Sequence, residues 1–335
     1  MKYILLTLIL ISCTVCLTAG RYAGDFMAIG AGVRALGMGG AFASVADDCS
    51  AIYWNAAGIA RMEKAEVSAM HAFLYNGLAT YNNFSYCQPL PNDVTIGVNI
   101  TRLTVDDIPR FNESYLVGTN VDERINDYES HLPGVPDGTF KSTDSLYQFA
   151  FAKKIQYDAN MGWLFFEVPF EFSFGGSVKY IKREVFEHIG DGTGFDFGLH
   201  VKTDMGVIFD YEDFGDLNFG LAFQDLAGTR INWDTATQHS DEVLFNTKVG
   251  VSLDQPITAL KSNLTLAYDH DYVYLGTNHY GMEWEYDEKA SLRLGYYDKN
   301  FSCGASVNVY GVDLDYALIT NPVGITNRLG LRFKF

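Results

Sequence analysis

The sequence predicts an all-β protein: a transmembrane antiparallel β-barrel of about 14 strands with a glycine-rich N-terminal segment folded inside its lumen. Three observations carry this reading. The chain opens on an export-type leader. Beyond the leader, short stretches of period-two alternation, separated by Asn, Asp, Gly and Pro, recur to the last residue. The final stretch puts Leu329, Leu331, Phe333 and Phe335 on one face and Arg328, Arg332 and Lys334 on the other, because successive side chains of a strand point to opposite faces. A soluble sandwich would bury the apolar face against a second sheet, whereas a membrane barrel would turn it to lipid. Periodicity alone does not separate the two. The leader, the terminal aromatic residue and the repetition of the pattern favour the barrel.

The leader comes first in the chain. Lys2 supplies a positive start, Ile4–Leu17 is apolar, and Thr18, Ala19 and Gly20 are small, which is the pattern of a secretory signal peptide. Cleavage is expected after Gly20 or Ala19. Leu10-Ile11-Ser12-Cys13 also resembles a lipobox, which would leave a lipidated Cys13 instead. Either way the expected destination is the outer membrane of a bacterial cell. Cys49, Cys87 and Cys303 remain, so at most one internal bridge forms. Five cysteines in all are too few for a disulfide-stapled scaffold. A net charge of −17 argues against nucleic acid, since phosphate contacts need clustered cations. With 48% apolar residues, Tyr 21 and Phe 24, the composition also argues against disorder.

The N-terminal segment, residues 21–63, follows the leader and does not read as strand. Gly24, Gly30, Gly32, Gly37, Gly39, Gly40 and Gly58 fall in it. Gly30-Ala31-Gly32 mimics part of a dinucleotide fingerprint, but a leader cleavage site stands where the motif needs a buried strand. A plug fitted inside a barrel explains the glycines better, because they permit tight turns and close backbone approach. Asp47 or Asp48 is placed to cap a short helix over residues 50–57, and Gly58 to end it. Phe26, Met27, Leu36, Met38, Phe42, Tyr53 and Trp54 supply apolar surface, and are either filling between plug and wall or in part the lining of an apolar ligand pocket. Arg34 is either a carboxylate anchor in that pocket or a partner for Asp47 or Asp48.

The barrel, residues 64–335, is expected to use strands at 65–74, 78–88, 93–103, 145–154, 169–185, 194–203, 216–224, 245–253, 263–271, 279–286, 290–297, 301–310, 312–319 and 328–335. The number is even, as bacterial barrels require. The longest connections, 104–144 and 225–244, both follow odd-numbered strands and so fall on the external side. The first is acidic, with Asp106, Asp107, Glu113, Asp122, Glu123, Asp127 and Glu129. It reads as a solvated loop, with a divalent-cation or partner contact as the sharper alternative. The moderately long 155–168 and 204–215 fall on the inner side. Their apolar residues, Trp163 to Phe166 and Val207 to Phe209, make them candidate extensions of the flanking strands.

The run Gly30-Ala31-Gly32-Val33-Arg34-Ala35-Leu36-Gly37-Met38-Gly39-Gly40-Ala41-Phe42, then Val45-Ala46-Asp47-Asp48 and Tyr53-Trp54-Asn55-Ala56-Ala57-Gly58, resembles the N-terminal hatch of the FadL superfamily of outer membrane proteins. It is similar above all to the PorV/PorQ branch and related uncharacterised barrels. Gly37, Gly39, Gly40, Asp47, Asp48, Asn55 and Gly58 carry the hatch motif. Weaker resemblance continues through Thr104–Pro109 and the terminal strand. One departure is Ala56, where the family usually has proline; its loss is expected to loosen the turn. The resemblance implies a barrel of about 14 strands with the hatch inside. For FadL-type members it implies passive entry of hydrophobic compounds; for PorV-type members, a part in type IX protein secretion, holding cargo and passing it on.

Enzymatic readings find little support. The seven histidines are scattered, and Asp269-His270-Asp271 reads as a solvated group at an outer strand end. No cofactor or metal is expected. The expected partners are outer membrane lipid and either a hydrophobic small molecule or secretion-machinery or cargo proteins. Both functional readings stay open at this point.

Overall fold

Alternating apolar and polar positions make strands that are apolar on one side only, and fourteen of them close into one antiparallel wall. The structure, a computed structural model, describes residues 23–111, 136, 138–160, 162, 167–211, 213–272, 277–322 and 324–335. The leader, Glu113, Asp122, Glu123, Asp127, Glu129 and Trp163 to Phe166 lie outside the described residues. In chain order the strands are β1 (Glu66–Leu74), β2 (Ala79–Leu90), β3 (Val94–Arg110), β4 (Gly138–Asn160), β5 (Glu167–Val185), β6 (His188–Asp204), β7 (Asp216–Gln224), β8 (Thr229–Trp233), β9 (Ser240–Val243), β10 (Asn246–Ile257), β11 (Ser262–Asp271), β12 (Thr277–Tyr286), β13 (Ala290–Tyr297), β14 (Asn300–Val309), β15 (Val312–Asn321) and β16 (Gly324–Lys334). Each barrel strand pairs with its neighbours in sequence, β7 pairs with β10, and β1 closes on β16 through Glu66 opposite Lys334. Strands β8 and β9 form a separate hairpin that leans on β6 at Gly190 and Asp191.

The outer face carries Phe149, Phe195, Leu292, Leu294 and Leu329, each more than half exposed. Such a band is far larger than the few hundred Å² a water-soluble monomer exposes, so lipid is its natural solvent. The terminal-strand residues Leu329, Leu331, Phe333 and Phe335 belong to this band. Arg328 faces the lumen and is buried. One rim of the barrel carries Glu66 and Lys334 and is here called the terminal rim. The other, the loop rim, carries the connections Arg110–Gly138 and Gln224–Asn246.

The two expected long loops are partly folded. β3 runs on to Arg110 and β4 begins at Gly138, so 104–110 and 138–144 are strand rather than loop. A bulge between Val105 and Ile108, with Asp107 at φ 56°, carries the hairpin above the rim, and Lys141 pairs there with Asp106 at 3.1 Å. Above the rim water reaches both faces, so the apolar alternation that marks a membrane strand is absent. Within 225–244, the β8–β9 hairpin replaces the expected loop. The extension of β4 to Asn160 and of β5 back to Glu167 accounts for the ends of 155–168. Residues 204–215 do not extend a strand: Asp204 accepts hydrogen bonds from the Gly206 and Val207 amides at 2.7 and 3.3 Å and starts a short helix, Met205–Phe209.

Candidate functional site

From Val33 to Ala60 only Arg34 and Asp47 escape full burial, so the N-terminal segment is packed against the lumenal side of the wall. It is a run of short helical turns, Asp25–Ile29, Val33–Gly37, Ala51–Trp54 and Ala56–Arg61. Residues 50–57 are not the single capped helix the sequence predicts. Ser50 donates to Asp48 Oδ1 through its amide and its hydroxyl, at 2.9 and 2.5 Å, and a single turn follows. Asn55 then breaks out at φ −151°. Its side-chain amide donates to the Ala43 carbonyl at 2.8 Å and the Leu199 carbonyl of β6 at 3.0 Å, and its Oδ1 accepts from the Ala57 amide at 3.2 Å. Ala56 is the first residue of the next turn, a position that needs no amide donor, and the Asn55 side chain caps that turn with no proline there. Gly58 lies inside that turn rather than after it, where a Cβ would stand 2.4 Å from the Ala46 carbonyl oxygen.

The wall accommodates the segment with glycines of its own. Gly175 faces Gly198 across β5–β6, Gly220 faces Gly250 across β7–β10, and Gly281 faces Gly295 across β12–β13. A Cβ at Gly220 would lie 2.1 Å from the Ala43 carbonyl oxygen, and one at Gly295 would lie 2.1 Å from the Gly39 amide nitrogen. The sequence reading did not identify this belt. Its visible signal is glycine recurring on the polar face of successive strands.

Charge fixes what the glycines admit. Arg34 donates to Glu283 at 2.7–3.1 Å and pairs with Asp47. Glu283 also binds Arg293 at 2.7 Å, Arg293 binds Asp315 at 2.9 Å, and Asp315 binds Arg332 at 2.8 Å. Arg332 and Arg34 both stand 3.6 Å from Asp48, which closes a ring of alternating charges between segment and wall. Burial opposes ionisation of Asp47, but the charges of Arg34 and Arg61 outweigh it and hold its carboxyl below the usual range. Asp269 accepts from the Phe42 and Ala43 amides at 2.7 and 2.6 Å. Asp269 and Asp271 are therefore buried lumenal groups rather than the solvated cluster the sequence predicts; only His270 points outward, to Asn278 at 2.8 Å. Strand parity separates them. Arg34→Met is expected to weaken the hold on the segment by about 2 kcal/mol, the scale of a charged hydrogen-bonded contact. Faster hydrogen exchange over residues 33–58 would show it, and an unchanged rate would mean the ring is not what holds the segment.

Towards the loop rim, the segment leaves a cavity of about 240 Å³ against β7 and β10–β13. Its floor is apolar, with Met27, Ile29, Leu36 and Trp54, and Tyr297 closes one side. Most polar groups beside it are already engaged; the buried Asn246 Oδ1 is the exception among the described lining residues. Lys248 binds Asp271 at 2.7 Å and stands 4.9 Å above the Trp54 ring. Gln224 donates to the Tyr53 carbonyl at 2.9 Å, and the Trp54 indole N–H to the Ala31 carbonyl at 2.8 Å. The His279 ring bonds the Gly39 carbonyl at 2.7 Å. An apolar guest here would displace few polar contacts, so its desolvation cost is small.

Of the pocket candidates, Leu36, Tyr53 and Trp54 line this cavity, as do the motif residues Gly39 and Gly40. Met38 and Phe42 do not: both are fully buried, and Phe42 supports Trp54 edge-on at 6.4 Å. Arg34 lines a different, charged recess that also holds Glu66 and Lys334 of the terminal rim, so it is a partner of Asp47 rather than a carboxylate anchor in the apolar cavity. Gly37 packs beneath, against Arg293 and Gly304. Met27, named with the apolar residues of the segment, also lines the cavity; Lys248, His279 and Tyr297 were not anticipated, because nothing local marks a lumenal residue near a strand end as facing a void. Cys49 and Cys87 are buried, Cys303 is exposed, and all three are free. Among the described residues no group of three or more His, Cys, Asp or Glu is placed to hold a metal.

No family model matches the chain, and no curated protein matches it. Solved structures do. The toluene transporter TbuX of Ralstonia pickettii superposes with a TM-score of 0.50 at 12% identity, covering 91% of this chain and 98% of its own. The toluene transporter TodX of Pseudomonas putida gives 0.46 at 10% identity over 90% and 96%. A FadL homologue of Pseudomonas aeruginosa gives 0.45 at 10% over 91% and 97%. At 12% identity the likeness to TbuX is one of fold alone: a closed antiparallel barrel.

Proposed function

We propose that the chain is an outer membrane channel for small, largely apolar molecules, which enter at the loop rim and dwell in the cavity beneath it. The carrying observation is that cavity, about 240 Å³ with an apolar floor and most of its polar neighbours engaged with one another. Its size sets the substrate class. An apolar void of about 150 Å³ is enough for benzene, whereas drug-sized ligands occupy pockets of about 300–1,000 Å³. A substituted single ring or a short-chain compound therefore fits better than a long acyl chain. TbuX, which shares the fold, is named for a compound of that size. The N-terminal segment lies between this cavity and the charged recess at the terminal rim, so passage through the lumen requires the segment to shift. The PorV/PorQ affinity rests on the motif residues alone, and no observation among the described residues favours a cargo-handling role.

The test is equilibrium binding of toluene to the detergent-purified protein. Saturable binding is expected. Trp54→Ala removes the ring that floors the cavity and should weaken binding about tenfold, as loss of one aromatic contact of roughly 1.4 kcal/mol implies. Met27→Trp should fill the cavity and abolish binding. Equal affinity in all three proteins would exclude the cavity as the binding station.

A further inference from the structure

The outer wall carries a second recess, distinct from the lumen. Ala69 on β1 stands directly between Phe84 of β2 and Leu331 of β16, and the small side chain leaves a groove of about 980 Å³. Ile100, Leu314 and Leu329 continue its apolar lining. These large side chains face outward and are 40–56% exposed. Toward the loop rim the lining changes character. His71 pairs in register with Asn82, Asn82 with Arg102, Arg102 with Ser145, and Ser145 with Lys182. A polar, basic row thus crosses five adjacent strands on the face that elsewhere meets lipid.

Arg102 is the unusual member. It is exposed, and its only hydrogen bond among the described residues is from Nε to the Ser145 hydroxyl at 3.3 Å. No carboxylate lies within ion-pair distance of it among the described residues. Lys182, by contrast, is paired with Glu184. A lipid-facing arginine is costly at the bilayer centre and tolerated near the interface. The flanking aromatics set the depth: Tyr147 and Tyr180 pair across β4–β5, one step nearer the terminal rim than Arg102, with ring centroids 6.3 Å apart. Tyrosines of barrels gather at the headgroup level, which puts Arg102 at the height of lipid phosphates and the Ala69 groove among their acyl chains.

We propose that this groove is a binding site for one anionic glycerophospholipid, its acyl chains lying over Ala69 between Phe84 and Leu331 and its phosphate on Arg102. An arginine fork matches a phosphate's oxygens. One unpaired guanidinium and one bounded groove suit a lipid with a single phosphate rather than a many-chained, multiply phosphorylated glycolipid. The inference rests on the outer membrane reading above.

The full barrel would be reconstituted into nanodiscs of equal phosphatidylglycerol and phosphatidylcholine, released gently, and its retained lipid counted by native mass spectrometry. Wild type is expected to keep one phosphatidylglycerol. Arg102→Gln should cut that retention about tenfold, and Ala69→Leu should abolish retention of either lipid. Both variants should keep the heat-modifiable gel mobility of a folded barrel and bind toluene as wild type does. Equal retention by wild type and Arg102→Gln, or no preference for phosphatidylglycerol, overturns the site. Displacement of phosphatidylglycerol by equimolar lipid A overturns the choice of lipid. Failure to insert into nanodiscs at all would overturn the outer membrane reading itself; insertion without selective retention would overturn only the lipid site.

Discussion

Lys179→Met is expected to destabilise the barrel by about 3–5 kcal/mol, the range for removing one partner of a buried ion pair. Lys179 of β5 is 3% exposed. Its ammonium binds Asp196 of β6 at 2.7 Å and Asp225 of the β7–β8 turn at 2.8 Å. Methionine keeps the length and loses the charge, which leaves two buried carboxylates facing each other. Their remaining donors are few: Gln148, Ser177 and the Asp225 amide on Asp196, and Thr229 on Asp225. The turn at Asp225 has φ 54° and positions Gln224 at the cavity, so the damage should spread to ligand retention. The check is the urea midpoint of the refolded barrel. The double variant with Asp225→Asn should recover part of the loss, because it removes the like charge. If Lys179→Met alone unfolds at the wild-type midpoint, or the added Asp225→Asn lowers it further, the ion triad is not what secures this corner.

Gly220→Ala is the second large effect, and it acts on the plug rather than the wall. The added Cβ would stand 2.1 Å from the Ala43 carbonyl oxygen and 2.7 Å from the Ser44 amide nitrogen. Both are backbone atoms, so no rotamer change relieves the clash. The segment must lift off β7, losing the Asp269 bonds to Phe42 and Ala43. Overpacking of this kind costs about 1–3 kcal/mol, enough to populate an undocked segment. The wall itself needs no change, since β7 has water or the segment as alternative neighbours. Limited proteolysis should therefore cut within residues 33–58 at least tenfold faster while the barrel stays protease-resistant, and toluene binding should weaken with it. An uncut segment in Gly220→Ala would show that the belt has slack the geometry does not suggest.

The barrel was legible because its cause is local. A strand between lipid and lumen must alternate, and the alternation in Val94–Leu103 or Arg328–Phe335 is visible residue by residue. All fourteen wall strands were placed in that way. Where lipid ends, so does the signal: the upper parts of β3 and β4 carry no sustained apolar alternation, and the five and four residues of β8 and β9 are too short a run to stand out. The helix expected over residues 50–57 failed for a different reason. Asn55 has ordinary helical neighbours in sequence, but its side chain is engaged by Ala43 and β6, and that tertiary contact outweighs local propensity.

The amino-acid order thus pointed to an antiparallel barrel of about fourteen strands and to which residues alternate along each, since alternation depends on residues a few positions apart. The charge ring did not follow from it. Arg34 meets Glu283 across 249 positions, and whether it anchors a ligand or a plug is decided only when β12 brings that carboxylate alongside. The cavity is likewise a difference between two packed surfaces, and its volume depends on how far the segment's backbone sinks into the glycine belt. Alternation is a property of one strand, whereas a void and an ion ring are properties of elements meeting, and only their arrangement in space creates them.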